Sequence, residues 1–124
     1  MAKFEHLTDC EEMVMKIVWD AERELGLMDI TQGVNEVCKK NWKPQTVSTF
    51  LARLVKKGYL KHYRQGRVFF YQILIPREKY VGKRANEFIE FWNHGNAEEF
   101  LMALLGMRAL RSEEKEEMQK LLLN

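Results

Sequence analysis

The sequence predicts a mainly α-helical protein with one small antiparallel β-hairpin, divided into a compact N-terminal domain over 1–75 and a helical region over 76–124. Three observations predict it. Apolar residues recur at helical spacing through most of the 124 residues. The period changes to that of a strand once, on either side of Gln65-Gly66. Charge is also segregated: from Val37 to Arg77 there is no aspartate or glutamate, yet that stretch holds ten of the twenty lysines and arginines. A formal net charge of +2 therefore conceals a +10 segment between flanks that sum to −8.

The first helix is announced by Thr8-Asp9-Cys10-Glu11, a capping-box spacing. Met13, Val14, Ile17, Val18, Ala21 and Leu25 follow at helical spacing, and Gly26 is expected to end the run. Glu11, Glu12, Asp20, Glu22 and Glu24 form its expected acidic outer face. A second helix is expected to start near Asp29 or Thr31, either of which could cap it. It runs through Val34, Val37 and Cys38 to Lys39 and Lys40, whose charges oppose the negative end of the helix dipole. Asn41-Trp42-Lys43 reads as a turn, and Pro44 suits a first helical position, where its missing N–H costs nothing. The third helix carries Val47, Phe50, Leu51, Leu54 and Val55 on one side, with Gly58 as its C-terminal stop.

From Tyr59 two β-rich runs flank Gln65-Gly66, with Arg64 and Arg67 at the tip. Phe69, Phe70 and Tyr71 are expected to pack on the helices. Helix, helix, helix, basic hairpin is the order of a winged helix-turn-helix. Pro76 then opens a helix-prone remainder. One helix carries Tyr80, Val81, Phe88, Phe91 and Trp92, Asn93 to Asn96 make a break, and a second helix carries Phe100, Leu101, Leu104 and Leu105. A third, expected to be capped by Ser112, carries Met118, Leu121 and Leu122. Helices this short and apolar imply a partner that covers them.

If the apolar stripe of the third helix faces the core, the opposite face shows Gln45, Thr46, Ser48, Thr49, Ala52, Arg53 and Lys56. These types read a major groove: Gln pairs with adenine, Arg with guanine, and small polar side chains let the helix sink toward base edges. Lys39, Lys40, Lys43 and Lys56 with the wing arginines Arg64 and Arg67 would grip phosphates, since clustered cations beside a polyanion release condensed counterions. Position in a helix-turn-helix, after a Pro-marked turn and before a basic hairpin, favours double-stranded DNA. The rival readings are a winged-helix module whose basic face meets an acidic protein, and an aromatic platform for single-stranded RNA.

The 46% hydrophobic and 31% charged content fits a folded, water-soluble chain rather than a disordered one. No apolar run is long enough to cross a bilayer, and Met1 to His6 is neither a signal peptide nor a lipidation motif, so a cytoplasmic protein with no membrane partner is expected. Cys10 and Cys38 lack a second ligand at metal spacing, and His6, His62 and His94 are scattered. No phosphate loop, zinc-binding helix or nucleophile elbow is present, so neither an enzyme nor a cofactor or metal is expected.

Three stretches carry a family resemblance: Leu7 to Trp19 (Leu-Thr-Asp-Cys-Glu-Glu-Met-Val-Met-Lys-Ile-Val-Trp), Trp42 to Leu60 with its Trp-x-Pro-x-Thr-Val-x-Thr-x-Leu-x-Arg-Leu-x-x-Lys-Gly pattern, and Gly66 to Tyr71. They resemble the penicillinase-repressor family, which includes β-lactamase and methicillin-resistance repressors and copper-responsive relatives. The resemblance implies a transcriptional repressor: a homodimer of winged-helix heads on an inverted-repeat operator. Carried over by position, Gln45, Thr46, Ser48, Thr49 and Arg53 match the recognition helix, and Arg64 and Arg67 the wing. The dimerisation region would use Tyr80, Val81, Phe88, Phe91, Trp92, Leu101, Leu104, Leu105, Met118, Leu121 and Leu122. Two departures stand out. Lys43 replaces the Ser that many members place before the helix-opening Pro. Ala103-Leu104 occupies the place of the Asn-Phe bond cleaved in the antibiotic-resistance members, and the Cys-x-Cys of copper-responsive members is absent. The inducing signal, a regulatory protease or a small molecule, is therefore not declared, nor are the operator sequence and the regulated genes.

Overall fold

The computed structural model describes residues 5–107 and 110–123; Met1 to Phe4, part of the N-terminal stretch considered above, lie outside the described residues. It divides into two compact units, one through Val81 and one from Gly82. In the first, α1 (Asp9–Asp20), α2 (Leu27–Val37) and α3 (Pro44–Lys56) pack around one core and meet a three-stranded antiparallel sheet of order β1-β3-β2. The strands are β1 (Leu25–Gly26), β2 (Leu60–Gln65) and β3 (Val68–Ile73). Val14, Met15, Ile30, Val34, Val47, Leu51, Leu54 and Tyr59 are fully buried at its centre.

The expected capping box forms at the start of α1: Glu11 N–H donates to Thr8 Oγ1 at 3.2 Å, and Thr8 N–H donates to Glu11 Oε1 at 2.9 Å. That bond, however, turns Glu11 inward, so this residue is buried rather than part of an acidic outer face. Helix α1 also ends earlier than its apolar spacing suggests. Ala21 is already extended, with ψ 143°, and Leu25 pairs with Tyr71 as the short edge strand β1. A two-residue strand leaves no alternation to read.

Gly26 is likewise not a stop. It sits extended opposite Phe70 and immediately precedes α2 without a side-chain cap. Neither Asp29 nor Thr31 caps that helix: Thr31 Oγ1 donates to Leu27 O at 2.8 Å, while Asp29 faces Arg23. The helix ends at Val37, and Lys39 adopts a left-handed φ of 56°, which puts Lys39 and Lys40 in the turn instead of the last helical turn.

At the other end of α3 the expected stop is present. Gly58 has φ 83°, its N–H donates to Val55 O at 3.1 Å, and Tyr59 N–H donates to Leu54 O at 3.0 Å. This pair of bonds satisfies the last free carbonyls of the helix. In the hairpin, Gln65 pairs with Val68, leaving Gly66 and Arg67 as a two-residue loop with φ 67° at Gly66. Tyr71 reaches the core, but Phe69 is 44% exposed, so the aromatic run does not pack on the helices as a block.

Helix α4 (Arg77–Asn93) begins in the first unit and ends in the second. Tyr80, expected at a dimer contact, belongs to the first unit's core instead. It is 6% exposed, its ring lies 5.2 Å from Trp19 and 5.8 Å from Tyr59, and its hydroxyl donates to Glu12. The division thus falls between Val81 and Gly82, past the expected junction at 75/76, because Trp19 and Tyr59 hold the first turn of α4.

The second unit continues through a break at His94 and Gly95, both at positive φ, into α5 (Ala97–Met107) and then α6 (Ser112–Leu123). Ser112 is the first residue of α6 rather than its cap; Glu114 reaches back to the Arg111 N–H at 3.1 Å. Phe88 and Phe100 meet edge-on at 5.7 Å, and Phe91 meets Trp92 at 4.8 Å. Yet neither α5 nor α6 has a buried residue, and Phe91, Trp92, Leu121 and Leu122 are all more than 60% exposed.

Candidate nucleic-acid interface

Helix α3 is positioned from three sides. Its apolar stripe, Val47, Leu51 and Leu54, has no solvent exposure and locks the helix to α1 and α2. Its N-terminal end is fixed by a two-bond clamp: Asn35 Nδ2 donates to Trp42 O at 2.9 Å, and Trp42 N–H donates to Asn35 Oδ1 at 2.9 Å. Its C-terminal end is tied to α1 by Lys57, whose Nζ lies 2.6 Å from the buried Glu11 carboxylate and donates to His6 O at 2.8 Å. Burial pushes the Glu11 carboxyl up, but hydrogen bonds from Lys57 and from the Thr8 N–H, with the Lys57 charge, hold it below its ordinary value.

With that stripe buried, the opposite face of α3 is open. Gln45, Thr46, Thr49, Ala52, Arg53 and Lys56 are exposed along it, and Ser48 is half-buried at its margin. Thr49 donates its hydroxyl back to Gln45 O at 3.1 Å. Lys43 occupies the cap position of α3 and makes no side-chain cap bond, since an ammonium has no acceptor to offer the free N–H groups. Together with Lys39 and Lys40 it makes an exposed cationic turn just ahead of the polar face. Lys57 is the exception among the cations of the acid-free stretch, being engaged by Glu11.

At the hairpin tip, Arg67 occupies the loop and Arg64 stands next to it in β2. Arg64 Nε donates to Gly66 O at 3.0 Å, and its guanidinium lies 5.7 Å from the centroid of the Phe69 ring. His62 meets the same ring at 5.4 Å. Of the residues assigned to a dimer contact, Val81, Phe88, Phe91, Trp92, Leu104, Leu105, Leu121 and Leu122 are exposed, Leu101 and Met118 are half-buried, and Tyr80 is withdrawn into the core. Ala103-Leu104 lies inside α5. Among the described residues, no group of three or more His, Cys, Asp or Glu side chains could hold a metal ion, and no helix is long and apolar enough to cross a membrane.

Two positioning residues escape a sequence reading. Asn35 gives no local signal, because its partner lies seven residues away across the turn. The Glu11–Lys57 pair is the other: the capping box is legible, but Glu11 is expected on the outer face, and nothing in the sequence marks Lys57 as its partner.

The sequence model of the penicillinase repressor family matches residues 7–124. The chain belongs to the penicillinase repressor family. The Penicillinase repressor of Bacillus licheniformis is 30% identical over 123 residues, covering 98% of this chain and 93% of that protein. The methicillin resistance regulatory protein MecI of Staphylococcus aureus (strain N315) is 24% identical over 116 residues, covering 94% and 92%. Among solved structures, the DNA-binding domain of the repressor BlaI is 34% identical with a TM-score of 0.54, covering 64% of this chain and 94% of that one. The monomeric form of Bacillus licheniformis BlaI in complex with the blaP half-operator is also 34% identical, with a TM-score of 0.52 and the same coverage. The winged-helix head of this penicillinase-repressor family member is thus the part shared with those structures.

Proposed function

We propose that this chain is a DNA-binding transcriptional repressor that acts as a homodimer on an inverted-repeat operator. The observation that carries the reading is the division of α3: its apolar stripe is sealed in the core while an almost uncharged polar face with a single arginine is left open. Helix α3 enters the major groove. Gln45, Thr46, Ser48 and Thr49 approach base edges and sugar-phosphate at its N-terminal half, and Arg53 pairs with a guanine. Lys39, Lys40, Lys43 and Lys56 hold phosphates, and Arg64 and Arg67 bring the wing to the backbone. The solved complex of BlaI with half-operator DNA, 34% identical and covering 64% of this chain, supports that docking.

The work is binding alone, in the cytoplasm, without a catalytic step or cofactor. Exposed apolar side chains on α4, α5 and α6 are covered by a second copy, which sets the two heads one or more helical turns of DNA apart. A fluorescence titration of duplex at two salt concentrations tests the reading. Log affinity falls with log salt by roughly 0.9 per phosphate neutralised, and one sequence is preferred over random duplex. Binding that ignores salt, or that favours an acidic protein over duplex, overturns it.

A further inference from the structure

The geometry points to Phe50 as a specificity-determining positioning residue, one that holds the Arg53 guanidinium ready for base readout before DNA arrives. This rests on the proposed role of α3 in the major groove and adds a residue that does not itself face the bases. Phe50 is half-buried at the border between the core stripe and the open face of α3. The Arg53 guanidinium carbon lies 5.6 Å from the centroid of its ring. That is within the range in which a cation is attracted to an aromatic face. The spacing is i,i+3, which places the two side chains as neighbours on the helix surface. Helical side chains lean toward the N-terminus, so Arg53 is laid back toward the half of α3 that carries Gln45 and Thr49.

The ring is itself held. Phe50 packs 5.1 Å from Trp42, and both main-chain groups of Trp42 are clamped by Asn35. A chain of contacts therefore runs from α2 through the turn to the one arginine of the reading face. A free arginine loses rotamer freedom when it forms a two-pronged bond to guanine; an arginine already lying on a fixed ring loses less. The wing repeats the arrangement with different residues. Arg64 lies over Phe69 and is bonded to Gly66 O, which also gives a use to a phenylalanine left 44% exposed on a hairpin.

The test is a double-mutant cycle on the full chain, read as affinity for the duplex that the wild-type chain selects from random DNA and for a scrambled duplex of the same composition. Phe50→Leu keeps an apolar side chain against Trp42 but removes the ring. It lowers affinity for the selected duplex about two- to fivefold, the span of an exposed cation–π contact. Scrambled-duplex affinity is unchanged. Phe50→Tyr restores the preference. In an Arg53→Ala background Phe50→Leu has no further effect, because it acts through Arg53. Equal losses on both duplexes, or an undiminished loss in the Arg53→Ala background, show a merely structural ring and overturn the inference while leaving the DNA-reading role standing. A wild-type chain with no sequence preference overturns both.

Discussion

Two arginines of the acid-free stretch stand in different places, and the proposed reading gives them different work. Arg53 stands on the open face of α3, whereas Arg67 occupies the hairpin loop. Arg53→Ala is expected to cost about 1–3 kcal/mol on the selected operator and to relax preference at one base position. Arg67→Ala weakens all duplexes alike and flattens the salt slope. Affinity titrations on selected and random duplex read both, and equal behaviour of the two variants contradicts the division of roles. Lys57 shows the opposite lesson, that a cation in a basic stretch need not face DNA. Lys57→Met strands the Glu11 carboxylate in the core and costs about 3 kcal/mol at neutral pH, read from the urea midpoint. The pair holds the Glu11 carboxyl below its ordinary value of 4.5. Its contribution is therefore complete above that value and drains as pH falls below it, so the gap between variant and wild type narrows in acid. At this scale the sequence was legible for several roles that depend on near neighbours, as for Thr8 with Glu11, Pro44 and Gly58, although the caps expected of Asp29, Thr31 and Ser112 are not formed. It was silent where the partner is distant, as for Asn35, Lys57 and the Trp19 indole, which donates to Ile75 O at 2.9 Å.

The elements with a long apolar period were legible too. Helix α3 turns the expected stripe to the core, with Val47, Leu51 and Leu54 fully buried and Phe50 and Val55 half-buried at its margins, because five apolar positions at i, i+3, i+4, i+7 and i+8 leave little freedom in which side is buried. Two of the misses share a cause, since they are set by tertiary contact rather than by local pattern. Strand β1 exists because Leu25 and Gly26 find β3, and Tyr80 turns into the core because Trp19 and Tyr59 form a place for it. Gly33 has the same origin. It lies inside α2, where a β-carbon would stand 2.6 Å from Ile17 Cγ2, so α1 and α2 approach as closely as they do only because that carbon is missing. Gly33→Ala adds helix propensity of roughly 1 kcal/mol but overpacks a contact with a stiff β-branched side chain. The net result is a loss of about 1–2 kcal/mol, measured as a lower urea midpoint; a gain would show that the two helices can part without cost.

At the scale of the whole molecule, the two units differ in how they bury their apolar side chains. The head through Val81 buries its own core, and the DNA-binding domain of BlaI, which it resembles, was solved as a separate domain. The remainder exposes Phe88, Phe91, Trp92, Met107, Leu121 and Leu122, an apolar set that a lone soluble chain would not leave uncovered. Sedimentation is expected to give a monomer for a fragment ending at Val81 and a dimer for the full chain. A monomeric full chain would require another partner for these helices. The inducing signal is the least legible part, since the place of the Asn-Phe bond of the antibiotic-resistance members is the helical Ala103-Leu104 and, among the described residues, no group of His, Cys, Asp or Glu side chains could hold a metal ion. The central claim, that paired heads read an inverted repeat through α3, is tested most directly by selecting bound duplexes from random DNA with the full chain. The expected result is one motif of two inverted half-sites whose centres are about 10 base pairs, or a multiple of that, apart. A pool without enrichment, or one enriched in a lone half-site or a direct repeat, would contradict it.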